Sequence, residues 1–282
     1  MRKAKLPLHH KHLMAALGLW VTAYCPSLGA EQWQTYPPEL PAFNYDGEQL
    51  AANWEVLQRA TMQQYPSTDW VDQQLNHEAM CQETLKALTD HPDFSDALSE
   101  GADSCDVIDR EQVAALMQQA WRDYFTGDYQ SAVQSGEALG PIGYPVGGYA
   151  RIVYGQVLPR SPEEKKAVLE RAIELAEAYN EIVPDSAYSW FVSAYSMGRI
   201  MEDLSMSAAL MTGYNSIVKE RLEKLIQEYP KHTKGAANYG GYNAGIIGKS
   251  GRFLGRISYG ATPEKMESGF ATAMRVAPPV VS

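Results

Sequence analysis

Between Ser161 and Arg199 two helical patterns meet at a single break, and this stretch leaves few folds open to the chain. In its first half apolar residues fall at Val168, Ala172, Leu175, Ala176, Tyr179, Ile182 and Val183. That three- and four-residue spacing lays one apolar stripe along a helix, with charges on the opposite face. Ser161 with Glu164 makes a capping box and Pro162 sits at the first helical position, so the start is well defined. Pro184 stops the helix, and Asp185 or Ser186 can cap the next. The second helix carries Ala187, Trp190, Phe191, Ala194, Tyr195 and Gly198, small residues where a neighbour approaches and large ones where a gap is filled. Such a helical hairpin cannot bury both apolar faces alone, so the rest of the chain must stack against it.

Further helices are predicted on both sides. Leu50, Trp54 and Leu57 mark one from Gly47 to Gln64, stopped by Tyr65-Pro66; others run over about Asp69–Asp90 and Phe94–Leu98. Ahead of them, Glu31–Asp46 is rich in Pro and aromatic residues and reads as an extended arm packed along the helices. The polar, Gly- and Asp-rich loop Ser99–Asp106 marks a boundary, giving a cap over residues 31–108 and a regular domain over 109–282. In the latter, a helix from Asp109 ends at Gly127-Asp128-Tyr129. A glycine-rich loop, Gly136–Gly148, then resets the chain before a helix over about Tyr149–Val157. After the central hairpin come a long helical stretch from Met206 to Tyr229, a helix over His232–Lys249, and a last one from Pro263 to Ala277. Pro184, Pro230 and Pro278 each close a long helix, which reads as an elongated helical-hairpin repeat.

Length and composition agree with a packed core, since 45% of the 282 residues are hydrophobic. The first 30 residues read as a secretory signal peptide: a basic start (Arg2, Lys3, Lys5, Lys11), an apolar run from Leu13 to Ala23, and small residues Ser27, Gly29 and Ala30. Tyr24 before Cys25 is too bulky for a lipid-attachment motif. The apolar run falls short of the ~20 residues that span a bilayer. Removing the signal takes away four of the 24 basic residues and none of the 34 acidic ones, so the net charge moves from −10 to −14. A surface so acidic argues against nucleic acid and anionic lipid as partners, and no later stretch is apolar enough for membrane insertion. The expected location is periplasmic or secreted. There Cys81 and Cys105 are more often a disulfide than free thiols. Neither the cysteine spacing nor the nearby His77 and His91 form a zinc pattern.

The run Ala120-Trp121-x-x-Tyr124-Phe125-x-Gly127-Asp128-Tyr129-x-x-Ala132 resembles the turn of a tetratricopeptide repeat. Taken with Ala187-Tyr188-Ser189-Trp190, Gly213-Tyr214, Lys219-Glu220, Tyr229-Pro230-Lys231-His232 and Gly251-x-x-Leu254-Gly255-x-x-x-Tyr259-Gly260-Ala261 before Pro263-Glu264-Lys265, the layout over residues 110–277 is similar to bacterial periplasmic proteins with tetratricopeptide-like folds. It looks most like the TRAP-transporter-associated TatT family and, more distantly, the regulator of microtubule dynamics proteins. The resemblance implies an all-α fold of antiparallel hairpin repeats, an α-solenoid, with a transporter or solute-binding component as protein partner. It brings no catalytic signature.

No residue pattern marks an enzyme. There is no Gly-x-Ser-x-Gly or His-Glu-x-x-His, and only His77, His91 and His232 remain after the signal. Gly245-Ile-Ile-Gly-Lys-Ser lacks the earlier glycine of a phosphate loop, since Asn243 stands there; its glycines are read as a sharp turn after the helix. Glu163/Glu164 and Glu202/Asp203 fit helix starts and solvated faces. No cofactor and no metal are expected. Trp190, Tyr195, Asn238, Tyr239, Tyr242 and Asn243 are the candidates for a groove, combining amide and phenol donors with aromatic area, although most such residues are core in helical arrays. The sequence therefore predicts an exported scaffold for protein–protein interaction, or alternatively a binder of a small organic ligand on its inner helical face. The last helix carries no polar cap, so self-association through that end is expected as well.

Overall fold

In the computed structural model, which describes residues 33–34, 36–37, 39, 43–99 and 104–276, all regular structure is helical apart from one isolated bridge between Leu98 and Ile108. The predicted signal peptide lies outside the described residues. The helices are α1 (Gln49–Gln58), α2 (Thr68–Leu75), α3 (Glu78–Asp90), α4 (Arg110–Thr126), α5 (Tyr129–Ala138), α6 (Tyr144–Val157), α7 (Pro162–Ile182), α8 (Ala187–Glu202), α9 (Met206–Met211), α10 (Tyr214–Glu228), α11 (Thr233–Leu254) and α12 (Pro263–Val276). Short 3-10 turns occupy Pro92–Ala97, Cys105–Val107 and Gly140–Ile142, and a π-turn over Gly255–Tyr259 follows α11. Among the described residues, no helix is long and apolar enough to cross a membrane.

The central hairpin is α7 with α8. α7 buries Val168, Leu169, Ala172, Leu175, Ala176 and Tyr179 along one face, as its periodicity dictates. The Ser161 hydroxyl accepts from the Glu164 N–H at 3.1 Å. The reciprocal half of the capping box is displaced, because the Glu164 carboxylate accepts from the Arg160 N–H and the Tyr154 hydroxyl, each at 2.6 Å. One side chain thus starts α7 and ties it to α6. After Pro184 the turn places Asp185 in the left-handed region, and Ser186 takes the N-cap position of α8 without a side-chain cap bond. α8 is buried on nearly all sides, from Tyr188 to Ile200, because α6, α7, α10 and α11 surround it.

From α4 onward most consecutive helices pack on one another, and a second set of contacts reaches further along the chain: α4 touches α6, α6 touches α8, and α8 touches α11. These four helices therefore form one row, and α5, α7, α10 and α12 pair with its members in sequence order. The Gly-Asp-Tyr turn joins the first pair. Gly127 is left-handed at φ 87° and closes α4, and the Asp128 carboxylate caps α5 by accepting from the Ser131 N–H. Ala132 behind it is fully buried.

Several helix boundaries differ from the sequence reading, each for a local reason. α1 ends at Gln58, and the turn that follows, with Met62 left-handed, keeps it from reaching Gln64. The 69–90 stretch breaks at Asn76-His77, and Met206–Tyr229 breaks at the left-handed Gly213. The glycine-rich segment 136–148 is largely helical. Gly136 lies in α5, and Gly147 and Gly148 lie in α6. A Cβ on Gly136 would sit 2.8 Å from the Gly147 N, and one on Gly143 would collide with the Gly136 carbonyl. These glycines let two helices cross backbone to backbone, so composition that reads as a loop belongs to close packing. Gly245 and Gly248 are likewise inside α11; the kink falls later, at Gly251 with φ 77°.

The N-terminal segment packs across the row. Trp33 stacks on Tyr154 with ring centroids 3.8 Å apart, and Arg122 donates to the carbonyls of Tyr45 and Gly47. Trp54 meets Trp121 and Phe125 edge-on and donates from its indole to the Gln63 carbonyl at 2.8 Å. Gln118 of α4 donates to the Pro66 carbonyl, Gln63 reaches the Tyr149 hydroxyl of α6, and the Lys234 N–H of α11 donates to the Ala60 carbonyl. Residues 54–66 thus cover α4, α6 and the start of α11. Cys81 and Cys105 lie at disulfide distance, with Cα atoms 6.0 Å apart, and tie α3 to the turn before α4. One buried core cluster runs from Trp33 to Tyr239, through residues on both sides of position 108.

Candidate functional site

Beyond the covered part of the row, α8 and α11 separate around a cavity of about 130 Å³. Its α11 wall is Asn238, Gly241, Tyr242, Gly245, Ile246 and Lys249, the recurrence that one helical face produces. α8 contributes Tyr195, Gly198, Arg199, Met201 and Glu202; α9, α10 and the π-turn close the rest with Met206, Ala209, Leu210, Asn215, Val218 and Tyr259. The lining is mainly apolar, with a few polar groups, the usual make-up of a small-molecule pocket.

Most of those polar groups are already partnered. The Arg199 guanidinium donates to both oxygens of Glu202, at 2.8 and 3.1 Å, and lies 5.0 Å from the Tyr195 ring centre. Lys249 donates to the carbonyls of Met201, Glu202 and Leu204 at 3.0, 3.1 and 3.2 Å. Its charge therefore sits on the negative end of α8 and satisfies carbonyls that the helix leaves open. The Tyr242 hydroxyl donates to the Asn215 side chain at 3.0 Å, and burial raises the Tyr242 pKa. Burial also raises that of Tyr195, with Arg199 opposing. The exception is Asn238, whose Nδ2 is buried and has no hydrogen-bond acceptor among the described residues.

The glycines of this site differ from those of α5 and α6. A Cβ built on Gly198, Gly241 or Gly245 meets nothing within 4 Å. Each lies inside a helix, where glycine costs about 1 kcal/mol relative to alanine. No neighbouring backbone uses the space they leave. They widen the cavity.

Of the residues singled out from sequence, Tyr195, Asn238 and Tyr242 line this cavity. Tyr239 and Asn243 are buried on another face of α11, where the Asn243 amide donates to the Tyr239 carbonyl at 2.9 Å. Trp190 lies apart, lining a separate pocket with Asp185, Lys224, Glu228 and Tyr229. Arg199, Lys249, Met201, Met206 and the three glycines were not legible as a site, although the stripe Gly241, Gly245, Gly248 on the Asn238/Tyr242 face was the available signal. The paired acidic residues have structural partners: Glu202 binds Arg199, and Asp203 binds Lys165 at 2.6 Å. Among the described residues, no group of three or more His, Cys, Asp or Glu side chains is placed to hold a metal ion. No protein-family model matches the sequence, and neither a curated protein nor a solved structure shows a significant match to it.

Proposed function

We propose that this chain is an exported helical-hairpin repeat protein that binds a small organic molecule in the cavity between α8 and α11. The observation that carries the reading is the mainly apolar cavity of about 130 Å³ between α8 and α11, to whose lining Gly198, Gly241 and Gly245 contribute no side chain. The hairpin-repeat part rests on the α4, α6, α8, α11 row, and on the fact that Pro184 and Pro230 each follow the partner helix of a pair, α7 and α10. The resemblance to TatT-like proteins adds a setting beside a solute transporter, which suits a protein that holds a small solute. Coverage of α4 and α6 by residues 54–66 weighs against a long peptide lying along the row, since the chain's own segment is already there.

The test is saturation-transfer NMR with single-ring fragments on the full chain and on Gly245→Leu. Signals present with the parent and lost in the variant support the reading; equal signals in both refute it.

A protein-binding scaffold is the second reading, favoured by the exposure of Phe253, Ile257 and Met274 at 75%, 67% and 72% on the last hairpin. Its simplest occupant is a second copy meeting the end of the array. A monomeric mass by light scattering at micromolar concentration would eliminate that form of it.

A further inference from the structure

We infer that the α8/α11 cavity takes a small organic carboxylate, with its apolar body in the cavity and its two oxygens on the Nε–Nη2 edge of Arg199. This inference rests on the cavity being a binding site and goes on to name the class it takes.

The open edge of Arg199 comes first. A guanidinium is a rigid planar fork, and the side formed by Nε and Nη2 presents two parallel N–H donors that match a carboxylate. Elsewhere in the chain that side is in use. Arg171 sets Nε and Nη2 on Glu137 at 3.1 and 2.9 Å, and Arg122 sets the same two atoms on the carbonyls of Tyr45 and Gly47. Arg199 engages Nη1 alone, on the two oxygens of Glu202, and its Nε and Nη2 have no hydrogen-bond partner among the described residues. With Arg199 32% and Glu202 54% exposed, that pair is a solvated i,i+3 contact of little strength, and it holds the opposite end of the fork. A ligand carboxylate can take the open edge while Glu202 stays where it is.

Charge comes second. Three ionisable side chains of fixed charge line the cavity, Arg199 and Lys249 against Glu202, so the wall is positive on balance in a chain whose net charge is −10. Lys249 has its three donors on carbonyls at the end of α8, which orients the ammonium but does not cancel its charge. An anion entering an apolar pocket must exchange its water for a countercharge and donors, and this wall supplies both. An ammonium ligand would meet two like charges, and a neutral one would leave the fork unused.

Size comes third. A cavity of ~150 Å³ accommodates a benzene-sized molecule. At about 130 Å³, partly open to solvent, this one takes a single ring or a branched chain of similar bulk. Met201 and Met206 in the wall adapt to either shape, because the thioether side chain has several accessible rotamers and a polarisable sulfur.

The experiment titrates the full chain with benzoate, acetate, cyclohexanone and cyclohexylammonium, reading binding by NMR shift changes in the protein, and repeats it with Arg199→Gln and Gly245→Leu. Circular dichroism and melting curves confirm that both variants are folded. Benzoate should bind about ten-fold or more tightly than cyclohexanone and cyclohexylammonium, and lose about ten-fold in Arg199→Gln. Acetate, which has the carboxylate without the ring, should bind about ten-fold more weakly than benzoate. Cyclohexanone should bind Arg199→Gln as it binds the parent, and no probe should bind Gly245→Leu. Cyclohexanone or cyclohexylammonium binding as tightly as benzoate, still lost in Gly245→Leu, would overturn the carboxylate class and leave the cavity standing as the site. Benzoate affinity unchanged in Arg199→Gln, or a loss shared equally by cyclohexanone, would overturn the role of the guanidinium. If no probe distinguishes the parent from Gly245→Leu, the binding reading itself fails and this inference with it.

Discussion

His232 makes the stability of α11, and with it one wall of the cavity, dependent on pH. The imidazole is buried at the N-terminus of the helix, where its Nδ1 accepts from the Gly235 N–H at 2.9 Å, so it serves as the cap. An Nδ1 that accepts leaves the proton on Nε2, which has no acceptor among the described residues. Burial pushes the His232 pKa from 6.5 down to about 4, its own backbone partly opposing and the nearby Lys234 charge adding to the fall. Protonation would cost the cap as well, since the cation cannot accept. In the unfolded chain the same group takes up a proton near its ordinary pKa, so the unfolded state binds more protons throughout the interval between the two values. Stability is therefore insensitive to this group above about pH 6.5 and declines as the pH falls toward 4. Two and a half units amount to about 3 kcal/mol when the loss is complete, of which about 2 kcal/mol is already gone at pH 5. The assay is urea unfolding from pH 7.5 to 5 of the parent and of His232→Asn, which retains a capping side chain but does not titrate. Carboxylates common to both proteins drop out of the difference. The variant should lose about 2 kcal/mol less than the parent between pH 7.5 and 5. Parallel curves over that range would refute the assignment of a buried neutral His232.

Other perturbations separate the roles of residues that look alike in sequence. Gly143→Ala, forced against the Gly136 carbonyl, should destabilise by about 3 kcal/mol or more, whereas Gly198→Ala should stabilise by about 0.5–1 kcal/mol in thermal melts. The Arg221 guanidinium pairs with both oxygens of Glu177 and with the Ser193 hydroxyl, joining α10, α7 and α8. With Arg221 19% and Glu177 39% exposed, Glu177→Ala should cost about 2 kcal/mol by urea denaturation, between the values for exposed and buried pairs. Opening the Cys81–Cys105 link, across a separation of 24 residues, should cost about 3 kcal/mol, seen as a lower melting temperature in reductant and no reductant effect in Cys81→Ala/Cys105→Ala.

The helices of this chain were legible because their signals are local. The stripe and cap of α7, the Gly-Asp-Tyr turn after α4 and the stop at Pro184 are all written within a few residues of where they act. Within the N-terminal segment, Trp33 and Tyr45 are large aromatic residues that meet Tyr154 and Phe125. What failed to read was decided by neighbours distant in sequence. Glu164 satisfies the Arg160 N–H rather than Ser161 because the Tyr154 hydroxyl, ten residues back, draws its carboxylate aside. Tyr239 and Asn243 look as suitable for a site as Tyr242 and Asn238, and only the direction from which α8 approaches α11 decides that the latter pair meets the cavity.

Glycine shows this limit most sharply, because the residue has no side chain to say what it is for. Gly136 and Gly143 exist for contact, as the backbone of another segment occupies the place of their Cβ. Gly127 and Gly213 exist for conformation, with φ of 87° and 73°. Gly198, Gly241 and Gly245 satisfy neither need: they are helical, they carry the entropic cost of glycine, and open space lies where their Cβ would be. Gly248 shares these traits away from the cavity, but Gly198 on α8 and Gly241 and Gly245 on α11 face it from both sides, which is the reason the site is assigned there rather than to the pocket around Trp190.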